Sequence, residues 1–268
     1  SLRTEVSGES RPISRCGVAV MEQEHPLSWV AYADLRSIRY SHAASKTAVQ
    51  LLASNEDLRP LIQAQFQMNS RFERTGDGSS YENAANRLIE VAQELVNSDF
   101  QVTRRSSLVS CCSAFEHLAK CIVVEWAELA PEKVHGLDNL RLTLQAIDVL
   151  ESDLRDRLFL VADKIYQETS SNKGYLEKIR SIVSAHLPHQ LSSFEPKLAA
   201  VNKLDFNEAF VVRNCLVHHG AKVHRQLSRY RGFELGKPIT ITAPMLGRYL
   251  DALEGMGDVL WGCAATVL

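Results

Sequence analysis

The stretch that most constrains this chain is Asn207–Gly220, NEAFVVRNCLVHHG. Phe210, Val211, Val212, Cys215, Leu216 and Val217 leave almost no direction of a helix polar. A helix that is apolar all round is a buried helix. This one nevertheless carries Arg213, Asn214, His218 and His219. At roughly 100° per residue, with Arg213 as zero, Asn214 falls near ~100° and His218 near ~140°. Asn214 and His218 therefore form an i,i+4 pair on one stripe. Arg and His on a buried helix need partners, or a site that uses them.

The rest of the chain reads as helices. Pro26 opens a helical pattern over Leu27–Ala53, and Glu56–Arg74 and Tyr81–Asn97 keep the same spacing. Thr75–Ser80, TGDGSS, reads as a turn. Ser106–Leu129 is the most apolar helix, with Glu116 set inside its pattern. Pro131 breaks the chain, Leu137–Glu168 is helical again, and Tyr175–Leu187 runs to Pro188. Asp205 is the expected N-cap of the Arg213 helix, with Glu208 completing a capping box. Phe233–Thr242 alternates like a strand and predicts an extended arm or small hairpin. Pro244–Val267 closes as a final helix.

Composition sets limits. Of 268 residues, 45% are apolar and 23% charged, as in an ordinary globular protein. The net charge of −2 excludes a surface that binds nucleic acid all over, so any such site is local. Six cysteines form no C-x-x-C pair and predict buried, reduced thiols of a cytoplasmic protein. No apolar run is expected to reach the ~20 residues of a membrane span. Ser1–Val20 lacks a signal-peptide core, precedes the first Met at Met21, and is expected to be loosely held.

The pattern Arg-Asn-x-x-x-His at Arg213–His218, followed by His219-Gly220, resembles the signature of the HEPN superfamily. The resemblance covers Arg104–Leu268 and leaves the N-terminal third unmatched. It implies an all-α bundle of HEPN type over 99–268. An additional layer of N-terminal helices over 23–98 and an N-terminal segment over 1–22 complete the expected organisation. Many members are ribonucleases, and others are nucleotide-binding or inactive relatives.

The residue chemistry suits RNA cleavage without a metal. The 2′-OH attacks the adjacent phosphate, which needs a base, an acid and positive charge at the transition state. His218 suits proton transfer near neutral pH. Arg213 offers a fork of donors to phosphate. Asn214 orients the imidazole or donates to a phosphate oxygen, and His219 reads as cap or support. Glu116 is expected to orient Arg213 across a helix interface, as the resemblance implies. The alternative for Glu116 is a solvated pair with Lys120, worth about a few tenths of a kcal/mol. One chain supplies one Arg–His pair, and the resemblance implies a two-fold dimer through this helix. It also implies a toxin or defence role with a neutralising antitoxin or regulatory partner.

Between Glu208 and Glu234 no acidic residue occurs, and Lys222, Arg225, Arg229 and Arg231 follow the motif. Tyr230 and Phe233 offer stacking faces for unpaired bases. The alternatives are a solvated turn for this flank and, for His218-His219-Gly220, a plain helix C-terminus closed by a glycine. His218, His219, His224 and Cys215 match no familiar zinc spacing, and no cofactor is expected. Gly76-Asp77-Gly78 lacks the lysine of a phosphate loop. A non-catalytic module that binds RNA, a nucleotide or a partner protein is the competing expectation.

Overall fold

The computed structural model describes residues 26–68, 78–129, 154–168, 174–186 and 191–265. Expectations for 1–25, for 75–77 of the Thr75–Ser80 turn, for 69–74 of Glu56–Arg74 and for 137–153 of Leu137–Glu168 fall outside these residues; Gly78, Ser79 and Ser80, expected in the turn, instead open a helix. The helices are α1 (Leu27–Ser54), α2 (Arg59–Met68), α3 (Gly78–Asn97), α4 (Gln101–Leu129) and α5 (Leu154–Glu168). They continue as α6 (Tyr175–His186), α7 (Leu191–Lys197), α8 (Lys203–His218) and α9 (Ala243–Ala264). The protein is all-α: no strand occurs among the described residues, and one isolated bridge joins Lys222 to Pro238.

Helix α4 is the axis. Leu108, Cys111, Cys112, Phe115, Leu118, Cys121 and Ile122 are buried on it, and α1, α5, α8 and α9 pack around it. Its start lies at Gln101, earlier than the apolar pattern indicates, because Phe100 accepts the backbone bond of Arg104 (2.9 Å). With that extra turn, Gln101–Trp126 is long and apolar enough to cross a membrane by length and composition, which corrects the expectation that no run approaches a span. Here it serves as the bundle's core helix, with 56% of its most apolar stretch buried.

Helix α1 docks on α4 and α9 through specific contacts. Glu125 on α4 caps the start of α1, accepting from the Ser28 amide (2.9 Å) and the Ser28 hydroxyl. Tyr32 donates to Asp258 on α9 (2.7 Å), and Arg39 donates to Glu254 (3.0 Å) and Asp251 (2.6 Å). Gly257 on α9 permits the close approach: a Cβ there would stand 2.5 Å from Leu35 Cδ2. Helix α3 covers α1, and α2 packs on α3.

The arm before α9 shows why an alternating pattern need not make a sheet. Ile239 and Ile241 point into the core and Thr240 and Thr242 face out. Their backbone groups pair mainly with side chains of α4, and no regular second strand forms; the Ile239 amide alone donates to backbone, at the Ala221 carbonyl (2.8 Å). The Ile241 carbonyl accepts from Gln101 (3.0 Å) and Arg104 (3.1 Å), its amide donates to Gln101 (2.9 Å), and the Ile239 carbonyl accepts from Arg105.

The cysteines Cys111, Cys112, Cys121, Cys215 and Cys263 are buried and form no disulfide among the described residues. Burial pushes the thiols of Cys111 and Cys121 up to about 12, so they act as small apolar groups.

Candidate functional site

The N-cap of α8 is Asn202, not Asp205. The Asn202 side chain accepts from the Leu204 and Asp205 amides (3.2 Å each). Asp205 lies in the first turn, where its carboxylate suits the helix dipole and accepts from Asn202 Nδ2 (2.6 Å). The reason is that an Asx side chain three residues upstream reaches the free amides first. At the other end His219 is the C-cap and Gly220 follows at φ +58°. The amides of His219 and Ala221 both donate to the Cys215 carbonyl (3.1 and 3.2 Å).

Aromatic packing fixes how α4 meets α8. Phe115 stands edge-on to Phe206 (5.2 Å) and Phe210 (5.9 Å). That register places the next residue on α4, Glu116, opposite Arg213, three residues beyond Phe210 and so on the same side of α8. Arg213 Nη2 donates to Glu116 Oε2 at 3.0 Å, and both side chains are mostly buried at 18% and 17% exposure. The expected interhelical pair is present. Lys120 is taken instead by Asp163 on α5.

The pair extends into a chain of hydrogen bonds. Arg213 Nη1 donates to Asn214 Oδ1 (3.1 Å), and Asn214 Nδ2 donates to the Tyr175 hydroxyl (3.1 Å). Tyr175 stacks flat on Phe210 at 4.0 Å. It is held in place because the Leu176 amide donates to Asn207 on α8 (2.9 Å). Gly174, at φ +111°, allows this: a Cβ there would lie 2.9 Å from Asn207 Oδ1.

Two further groups crowd the same place. Lys178 lies over the Tyr166 ring at 3.9 Å. Burial pushes the Lys178 ammonium below its ordinary value, opposed by the nearby Glu116 carboxylate. Burial likewise raises the hydroxyl of Tyr166 well above the usual phenol range, with Glu116 adding to it. The Tyr166 hydroxyl and Arg213 Nε are buried without a hydrogen-bond partner among the described residues. Tyr166, Tyr175 and Lys178 line the candidate site, and the sequence did not single them out. Only a folded contact joins them to Arg213, although Tyr175 directly after Gly174 marked a helix start.

His218 stands apart from this cluster. It is exposed in the last turn of α8, with no side-chain partner among the described residues. His219 stacks on His224 at 4.3 Å and is also exposed. Lys222, Arg225, Arg229 and Arg231 are exposed, whereas Tyr230 is half-buried against the core. Among the described residues no group of three or more His, Cys, Asp or Glu is placed to hold a metal ion.

Fold and site together define an all-α protein with an interhelical Arg–Glu pair, an Asn–Tyr extension and an exposed histidine at the end of the same helix. Neither a protein-family model nor a curated protein nor a solved structure matches this chain.

Proposed function

We propose that this chain is a HEPN-like, metal-independent endoribonuclease that works as a homodimer. The observation that carries the reading is the Glu116–Arg213–Asn214 arrangement, with exposed His218 on the following turn and a basic flank beside it. His218 transfers the proton of the attacking 2′-OH or of the departing 5′-oxygen. Arg213 supplies charge to the phosphorane-like transition state, and Glu116 and Asn214 hold its fork in one plane. A second copy, set motif helix against motif helix, supplies the second proton-transfer group. Exposed Val217, His218 and His219 at the end of α8 suit such a contact. Lys222, Arg225, Arg229 and Arg231 track the RNA backbone. The products carry 2′,3′-cyclic phosphate and 5′-OH ends. A cytoplasmic toxin or defence role with a neutralising partner follows from the same reading.

A specific observation favours a second reading. Both Nη nitrogens of Arg213 are already engaged within the fold. That commitment suits a non-catalytic module in which the pair is structural and the basic flank binds RNA. The two readings separate when purified protein is incubated with total RNA in EDTA and fragment ends are analysed. Fragments with cyclic phosphate ends support the nuclease; RNA binding without cleavage supports the module.

A further inference from the structure

On the side of α8 away from the Glu116–Arg213 pair lies an open cleft of about 480 Å³. Glu208 forms part of its lining, and five residues along a helix turn Glu208 by ~140° from Arg213. The extended arm supplies Phe233, Lys237 and Thr240, and Arg248 comes from α9. Arg231 lines it from the basic flank. The arm is pinned there by backbone bonds: Val223 donates to the Lys237 carbonyl (2.8 Å) and Gly236 to the Val223 carbonyl (2.9 Å).

A volume of this size takes one small ligand, not a helix or duplex. Its walls carry three cations, Arg231, Lys237 and Arg248, against two carboxylates, Glu208 and Glu234. Arg231 and Lys237 have no ion pair among the described residues, and Arg248 has only a long contact with Asp205 (3.4 Å). Cations on a cleft wall are suited to a phosphate. Glu208 is the unusual member, a carboxylate in a residue only 8% exposed. Its Oε1 accepts from the Tyr249 hydroxyl (2.6 Å), and no hydrogen bond among the described residues reaches its Oε2. A carboxylate is acceptor-only and has capacity for several donors. Phe233, half-buried at the same cleft, offers an aromatic surface.

We propose that this cleft binds a guanine nucleotide, with the base on Glu208 and Phe233 and the phosphate on Arg231 and Lys237. Guanine alone among the four bases presents two adjacent N–H donors, N1–H and the 2-amino group, to one carboxylate. Adenine and cytosine set an acceptor nitrogen beside their single amine, which repels the carboxylate. Uracil flanks its one N–H with two carbonyls. Stacking on Phe233 adds affinity without discrimination. The proposal deepens the RNA reading by placing a guanine-selective subsite beside the basic flank. It rests on that reading only for the polymer that presents the base.

The test is calorimetric titration of the full chain with GMP, AMP, CMP and UMP at low salt. The expected result is saturable GMP binding at least about tenfold tighter than the other three, a difference that one satisfied donor pair supplies. Glu208→Gln, which keeps the Tyr249 partner, should bring the four within about threefold by the same arithmetic. The surface double variant Arg231→Glu, Lys237→Glu should weaken GMP by about tenfold or more with an unchanged unfolding temperature. Absence of GMP binding, equal binding of all four, or indifference to the double variant overturns the proposal. GMP binding by a protein that never cuts RNA keeps the cleft and removes the nuclease. Cleavage without GMP binding does the reverse.

Discussion

Arg213 on α8 donates to Glu116 on α4 at 3.0 Å, and the two residues are joined by nothing closer in the chain than the whole of α5 to α7. At 17–18% exposure the pair stands between a surface ion pair and a fully buried one. Glu116→Ala leaves the guanidinium without its carboxylate and should cost about 1–3 kcal/mol in urea unfolding. Glu116→Gln keeps an acceptor and should cost less. Equal stability of Glu116→Ala and the wild type would show that the contact is incidental.

Tyr175→Phe keeps the stack on Phe210 and removes only the hydroxyl that accepts from Asn214. The expected loss is about 1 kcal/mol, the net value of one hydrogen bond. If Asn214 positions Arg213 for phosphate, cleavage should fall more than stability does. A variant with wild-type activity would remove Asn214 from the site.

The Arg213–Glu116 pair was legible in the sequence because each residue interrupted an apolar helical pattern, and a buried charge needs a partner. Most helix spans were legible from spacing, within a turn or two at each described end, but α7 (Leu191–Lys197) was not, being short and carrying Pro196 inside it. Three further features were not. The Lys120 partner is Asp163, because contact between α4 and α5 overrides the local i,i+4 choice. Asn202 does not stand out as the cap, because Asp205 and Glu208 imitate a capping box one turn later. Tyr166, Tyr175 and Lys178 reach the site only through tertiary packing, which no local pattern encodes.

Glu208 should make stability pH-dependent. Burial raises its carboxyl above the ordinary value, with Asp205 adding to it and the Tyr249 hydrogen bond and Arg248 opposing it. The folded state therefore holds this proton more tightly than the unfolded chain. The contribution to stability is full below the ordinary carboxylate pKa and is lost as pH rises through the raised one. Glu208→Gln should remove that component of the slope. Urea midpoints measured across the acidic range for both proteins check this, and parallel curves would contradict it.

Gly257→Ala places a methyl against Leu35, at the closest approach of α1 and α9. Leu35 is fully buried and has little room to move. The expected cost is about 1–3 kcal/mol, the usual range for overpacking a core. Thermal unfolding reads it directly; an unchanged midpoint would mean that α1 shifts freely on the bundle.

His218 gives the most direct test of the ribonuclease account, because it is exposed and its side chain has no partner among the described residues. Removing it should leave the fold intact while removing the proton-transfer group. The measurement is the cleavage rate of His218→Ala against wild type on total RNA in EDTA, with unfolding temperatures recorded for both. The account predicts a loss of about 10²-fold or more, typical of a lost general acid or base, with an unchanged unfolding temperature. A His218→Ala protein that cuts RNA at the wild-type rate would contradict it.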